Sequence, residues 1–391
     1  MQSQIENRES RIAIAGAGPA GSSLAIRLAQ FGFETVLIER ERFPRPKLCG
    51  EFISPECLAH FERLDVLDEM LDAGGDRIFE TRFFETRGRS VAVPSKWFGQ
   101  GDFALSLSRA EMDFQLLKKA KETGCKVIEG TTITGVESSN GRIINLSARY
   151  EDGKVSDINA DIFVDATGRS RVLSKLAEKQ KKRSAHTSVK PALVGFKNHL
   201  SGVQLEKGFC EIYSFAGGYA GLSHVENGVA NLCFLIKAKT VRQIGSDAKK
   251  LIEQAVFKNG RAFETLRDAT ATGEWLAVSI DSFGTRATAP AANLFTIGDA
   301  ASFIDPFTGS GMVMAFESAQ VLAEVIAANH RSREAIGNEY LLAYKKKFRS
   351  RLLLCSALRR TALMPNLATA VVSILGISGN ARRHLARATR S

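Results

Sequence analysis

The sequence predicts an α/β fold: a parallel-sheet core, an α+β insertion within it, and a helical C-terminal region. Three observations predict this. A strand, a glycine turn, a helix and a second strand open the chain between Arg11 and Glu39. Buried strands running into glycine-containing turns return at Asp161–Gly168 and at Asn293–Gly298. Between these, residues 180–285 change character, to long strands with one helix.

The opening unit reads Arg11-Ile-Ala-Ile-Ala-Gly-Ala-Gly-Pro-Ala-Gly21, with Glu39 closing the next apolar run. Gly16 lets the chain turn tightly out of the first strand. Gly18 offers no side chain to block a pyrophosphate, and Gly21 lets the helix lie close on the sheet. The helix start presents unpaired N–H groups and partial positive charge. Glu39 suits ribose hydroxyls. Ile12 and Ile14 before the turn, and Ala20, Leu24 and Leu28 after it, supply the strand and helix context that makes this a Rossmann-like unit.

A basic, proline-bearing loop, Arg42–Glu51, follows. Ser54 is a candidate N-cap for a helix from Pro55 to Leu67, and Ser108 introduces an amphipathic helix over Glu111–Glu122. Alternation predicts an antiparallel meander over 131–138, 142–150 and 154–160, turning at Gly141 and Asp152-Gly153. In the insertion, strands are expected at Leu193–His199, Phe209–Phe215, Tyr219–Leu222 and Val229–Ile236, with a helix near Ser246–Phe257. Helices from Met312 to Ala328 and from about Asn338 to Leu354 complete the pattern.

With 391 residues, 44% hydrophobic and 24% charged, the chain reads as globular, with two intimately packed domains. No run of eighteen apolar residues predicts a spanning helix, and the polar first ten residues do not read as a secretory signal. The formal charge of +11 gathers in Lys179–Arg183, in Lys345–Arg349 and in the arginines of the tail. No helix-turn-helix, RNP or zinc pattern accompanies it, so nucleic acid is not expected as a partner. Solvated faces are one reading. Peripheral contact with an anionic membrane through the basic C-terminal region is the other. Cysteines at 49, 57, 125, 210, 233 and 355 form no C-x-x-C pair, and neither a metal site nor a disulfide framework is expected. A cytoplasmic location follows, with the inner face of a membrane as a peripheral alternative.

The second glycine-rich stretch, Gly298-Asp-Ala-Ala with Pro306 and Gly309-Ser-Gly311, lies some 280 residues after the first. It too sits between an apolar strand and an apolar helix. With Gly16-Ala-Gly-Pro-Ala-Gly21 and Glu39, Ser108-Arg-Ala-Glu-Met-Asp113 and Val164-Asp-Ala-Thr-Gly168, it resembles the flavoprotein superfamily of para-hydroxybenzoate hydroxylase. That resemblance implies FAD. It implies contacts from Gly16, Gly18, Pro19, Ala20, Gly21, Glu39, Arg40, Arg109, Asp165 and Gly168, with Gly298, Asp299, Gly309, Gly311 and Met312 at the ribityl and flavin end. It implies an FAD-binding domain of 1–75, 103–178 and 287–335, a substrate domain of 76–102 and 179–286, and a C-terminal helical region of 336–391. Lys47–Pro55 and Asp305–Met312 resemble the geranylgeranyl reductase branch most. The halogenases' Trp-x-Trp-x-Ile-Pro signature is absent, Trp97 and Trp275 being the only tryptophans, so halogenation is not expected.

FAD would carry the redox step while the protein orients it and excludes water. The expected activity is reduction of a double bond in a hydrophobic isoprenoid, polyketide or lipid. The alternatives are hydroxylation with NAD(P)H and O2, or a non-catalytic FAD-binding role in maturing a partner. No second nucleotide loop is legible, so NAD(P)H is expected as a transient electron donor. Cys49, which the resemblance places beside the flavin, and Glu51 are the candidate catalytic groups. Tyr213, Phe215, Tyr219 and His224 are candidate substrate contacts. Oligomeric state is not legible.

Overall fold

Short apolar runs bounded by turns become strands buried on both faces, as a parallel sheet covered by helices requires. The computed structural model of this chain describes residues 10–99, 101–180, 192–280, 283–329 and 333–362, with Arg383 and Arg387. The basic residues 181–183 and most of the tail beyond 362 lie outside the described residues.

Strand β1 (Ile12–Ala15), helix α1 (Pro19–Gln30) and β2 (Thr35–Ile38) form the opening unit. Helix α2 (Arg109–Glu122) starts where Ser108 Oγ accepts the Glu111 amide, 3.1 Å away. It leads into β3 (Lys126–Ile128). The meander Thr131–Ser139, Arg142–Tyr150 and Val155–Asn159 returns the chain to β4 (Ile162–Asp165). The insertion contributes β5 (Leu193–Ser201), β6 (Phe209–Phe215), β7 (Gly218–His224) and β8 (Ala230–Lys237). The helix expected near Ser246–Phe257 is broken into short pieces. Gly245, at φ +107°, ends Ala238–Ile244. Asn259 accepts the Ala262 amide and starts Gly260–Leu266, and Ala248–Gln254 lies between them. Strand β9 (Leu294–Thr296), α3 (Gly311–Ala328) and α4 (Arg333–Ala362) complete the described chain.

The first sheet runs β9-β4-β1-β2-β3, parallel throughout. Four neighbouring strands therefore release their loops at one edge, and Gly298, Gly168, Gly16 and Glu39 fall in a row spanning roughly 14 Å at the usual strand spacing. Ligands of open α/β sheets bind at this carboxyl edge. Leu24, Leu28, Phe316 and Leu322, fully buried from α1 and α3, weld those helices to the sheet. Each such side chain contributes about 1.5–3 kcal/mol. Helix α3 is apolar and long enough to cross a membrane, but half of it is buried against this core.

The second sheet orders β5-β8-β7-β6 antiparallel, and Glu80–Phe84 extends it parallel to β6. A short ladder between Gly284–Thr285 and Ser302–Phe303 ties the chain leaving this sheet to the second glycine loop.

Candidate active site

The glycines divide into those the protein itself needs and those that leave space. A Cβ on Gly16 (φ +100°) would stand 2.5 Å from the Ala166 carbonyl oxygen, and one on Gly21 would stand 1.8 Å from the Gly16 carbonyl oxygen. These two allow the loop to close on itself. By contrast, a Cβ on Gly18 would meet nothing nearer than Arg109 Nη2 at 3.7 Å, and Gly168 and Gly311 face open space. Gly18 and Ser310 precede α1 and α3, and neither helix start has a side-chain cap. First-turn amides of both are left for another acceptor.

Gly298 joins the two loops. A Cβ there would lie 3.0 Å from Ala20 Cβ and 3.7 Å from Ala315 Cβ, so the second glycine loop is wedged between α1 and α3. Its amide donates to Ser318 Oγ at 2.9 Å. Gly309 takes the left-handed φ of +62° that turns the chain into α3, and Met312, in the first turn, packs on the core. The intervening loop is pinned by buried Asp305, whose Oδ1 accepts the Phe307 amide (3.0 Å) and the Tyr219 hydroxyl (2.8 Å).

Cations crowd this edge, with the Arg45 and Arg109 side chains largely buried. Arg109 forks onto Asp113 at 2.8 and 2.7 Å, and Arg45 reaches the same carboxylate at 3.1 Å. Burial works against the Arg109 charge, but Asp113 and Cys49 outweigh it and raise its pKa. Burial and the charges of Arg45, Arg109 and Arg40 push the Lys47 pKa down. Burial pushes Asp299 up to about 6 against the pull of Arg169, Arg109 and Lys47. A pocket edge with crowded cations, free helix amides and three open glycines suits a dinucleotide such as FAD. Gly18 and the start of α1 would take its pyrophosphate, Glu39 its ribose, Asp299 its ribityl hydroxyls, and the start of α3 the anionic end of the flavin.

The protein's own hydrogen bonds already engage several of the expected contacts. Glu39 is buried and already accepts from the Ala17 amide (2.8 Å) and the Glu41 amide (3.1 Å), which leaves about two acceptor positions for a ribose. Arg40 points to solvent and pairs with Glu41. Asp165 is spent on the protein: Thr167 and Ser174 each donate to it through both amide and hydroxyl. These bonds hold the β4 turn.

Glu51 is engaged as well. It has no exposed surface and a left-handed φ of +55°, and it receives the Arg109 amide (2.7 Å), Lys197 Nζ and His199 Nε2 (2.7 Å). Burial raises its pKa, but His199 and Lys197 outweigh that and hold it below the usual glutamate value. These partners favour its anionic form. Cys49 Sγ lies 3.4 Å from the Glu51 amide and also partners Arg109.

The insertion sheet presents one face to this loop. Gly195, Lys197 and His199 of β5, and Asn231 and Cys233 of β8, lie on it: a Cβ on Gly195 would touch Leu48, Lys197 also reaches the Lys47 carbonyl, and Asn231 donates to the Cys49 carbonyl. Tyr219 shares the face. Tyr213 and Phe215 belong to the opposite one, fully packed with Phe196, Phe234 and Ile236, and the Tyr213 hydroxyl is consumed by Glu211. His224 is bound to the Leu205 carbonyl. Of the four expected substrate contacts, the structure places only Tyr219 beside the glycine loop. Residues 197 and 199 were missed, though a lysine and a histidine two positions apart in a strand point to the same face.

Comparison with known proteins identifies the frame. The FAD binding domain family model matches residues 9–352. The flavin-dependent halogenase armH3 of Armillaria mellea is 28% identical over 351 residues, covering 82% of this chain and 68% of the relative. The chain thus spans about two thirds of the length of that relative. In structure, the flavin-dependent brominase Bmp2 superposes with a TM-score of 0.80 at 17% identity, over 97% of this chain and 93% of that one. A geranylgeranyl bacteriochlorophyll reductase-like protein from Thermoplasma acidophilum gives 0.76 at 20% identity, over 96% and 95%. The halogenase likenesses overturn the expected placement in the geranylgeranyl reductase branch. Likeness to halogenases extends along the whole flavin frame, which one missing tryptophan motif does not outweigh.

Proposed function

The chain belongs to the FAD binding domain family and is a flavoenzyme, and from that premise we propose that it uses reduced FAD and O2 to halogenate a small apolar molecule. The observation that carries the flavin part is the contact of Gly298 with both α1 and α3, which brings two glycine loops to one charged edge. The halogenase direction rests on the relatives, and it replaces the double-bond reduction expected from the sequence. NAD(P)H, directly or through a separate flavin reductase, is the proposed source of electrons.

FAD, when bound, supplies the reaction with O2. The chain's residues do the rest. Asp113 fixes Arg109 and Arg45 so that neither swings into solvent. The start of α3 would stabilise negative charge on a bound flavin, by about 0.3–1 kcal/mol per group and more when buried. Tyr219 and Asp305 hold the loop before α3 in one shape, and the near face of the insertion sheet keeps water out.

The test supplies purified, FAD-loaded protein with NADH, a flavin reductase, air and bromide, and offers phenol, pyrrole and indole probes to mass spectrometry. A product with bromine's isotope pattern that needs both O2 and bromide is expected. Oxygen insertion without halide dependence would replace halogenation by hydroxylation, and product formed anaerobically would overturn the oxidative reading.

A further inference from the structure

A cavity of about 620 Å3 opens between the second half of α4 and the ladder of Gly284–Thr285 with Ser302–Phe303. Its volume suits a small organic molecule. The wall on the ladder side is aromatic: Phe283 and Phe303 stack with centroids 4.9 Å apart and planes within 14°. Leu352 and Leu353 face them from α4. Phe303 also connects the cavity to the flavin edge, because the Arg169 guanidinium lies 5.2 Å from its ring centroid and acts on Asp299.

The charge of this cavity is one-sided. Lys347 and Arg351, on one side of α4, both pair with Glu317. Lys345 and Arg349 line the cavity and pair with no carboxylate among the described residues. Asp305 is the one acid of the lining, and it is occupied by Tyr219 and the Phe307 amide. The composition sharpens the asymmetry. Residues 1–339 hold 42 Lys+Arg and 42 Asp+Glu, whereas residues 340–391 hold 11 Lys+Arg and no Asp or Glu. The chain's entire formal excess of positive charge falls in this last segment, which begins at the cavity.

We propose that this cavity holds the organic substrate, and that the substrate is an apolar organic anion whose ring or chain lies between Phe303 and Leu352 and whose acid group meets Lys345 and Arg349. Only the word substrate rests on the flavoenzyme reading. The binding site stands on the cavity and its charge.

The probe is 2-naphthoate, compared with its uncharged carboxamide, both titrated calorimetrically into FAD-loaded protein. The acid is expected to bind about three- to tenfold more tightly at low salt, as two partly exposed cations allow, and added salt is expected to erase the difference. K345E/R349E is expected to remove the preference while FAD retention, read from flavin absorbance, stays at the wild-type level. L352W, which fills the cavity, is expected to weaken acid and amide together. Equal binding of acid and amide by the wild type, a preference that survives K345E/R349E, or no binding of either probe overturns the proposal. Failure to retain FAD in the wild type would instead count against the flavoenzyme reading alone.

Discussion

Replacing Gly311 with valine is expected to leave the apoprotein folded and to weaken FAD binding by a factor of about 10–100. Nothing lies within 4 Å of a Cβ at this position, so the branch point finds open space, and valine is no worse a helix former than the glycine it replaces. They would occupy the space in front of the α3 amides. Gly18→Val is expected to act likewise at the other loop, where the nearest atom to a Cβ is the flexible end of Arg109. Gly21→Ala serves as the contrasting control: its Cβ would stand 1.8 Å from a backbone oxygen, so it is expected to lose the fold itself. Thermal melting of the apoproteins and titration with FAD separate the two kinds of glycine. Wild-type FAD affinity in Gly311→Val would remove the start of α3 from the cradle.

The second large effect concerns Glu51. Glu51→Gln is expected to cost on the order of 3–5 kcal/mol, because it leaves the Lys197 ammonium buried without its counter-charge. Lys197 is 3% exposed and, among the described residues, its other hydrogen-bond partner is the Lys47 carbonyl. Adding Lys197→Met, so that no buried charge remains, is expected to recover most of the loss. The pH dependence has a definite sign. The Glu51 pKa is lowered in the folded protein, so its contribution is fully present above the ordinary value of 4.5 and disappears as pH falls through the folded value. The stability gap between wild type and Glu51→Gln should therefore hold steady from neutral pH down to about 5.5 and close below 4.5. Urea unfolding across that range is the measurement. A Glu51→Gln protein as stable as wild type at pH 7 would contradict the ion pair as described.

Much of the nucleotide frame was legible because its constraints are local. A glycine that must take φ +100°, an apolar run buried on both faces, and a serine three residues before the glutamate amide it caps all leave marks within a few positions. What joined those pieces was not local. That β4 lies beside β1 and β9 beside β4, so that Gly168 and Gly298 share one edge with Gly16, depends on strand pairings 150 and 131 residues apart. Asp165 looked like a ligand because it ends a strand before a glycine turn, but Ser174, nine residues on, consumes it. The insertion sheet shows the same limit. Tyr213 and Phe215 are aromatic and on a strand, but the register that pairs Tyr213 with Ala220 puts them on the face away from the flavin edge. Lys197 and Glu51, 146 residues apart, became partners only through the packing of that sheet on the basic loop.

The central claim is that two distant loops close on the two ends of one FAD, and a direct test titrates the apoprotein with FAD and then with FMN. The account predicts one FAD per chain and FMN binding at least about a hundredfold weaker, because FMN lacks the adenosine end that Gly18 and Glu39 are placed to hold. Equal affinity for the two would show that the opening loop contributes nothing, and would contradict the claim.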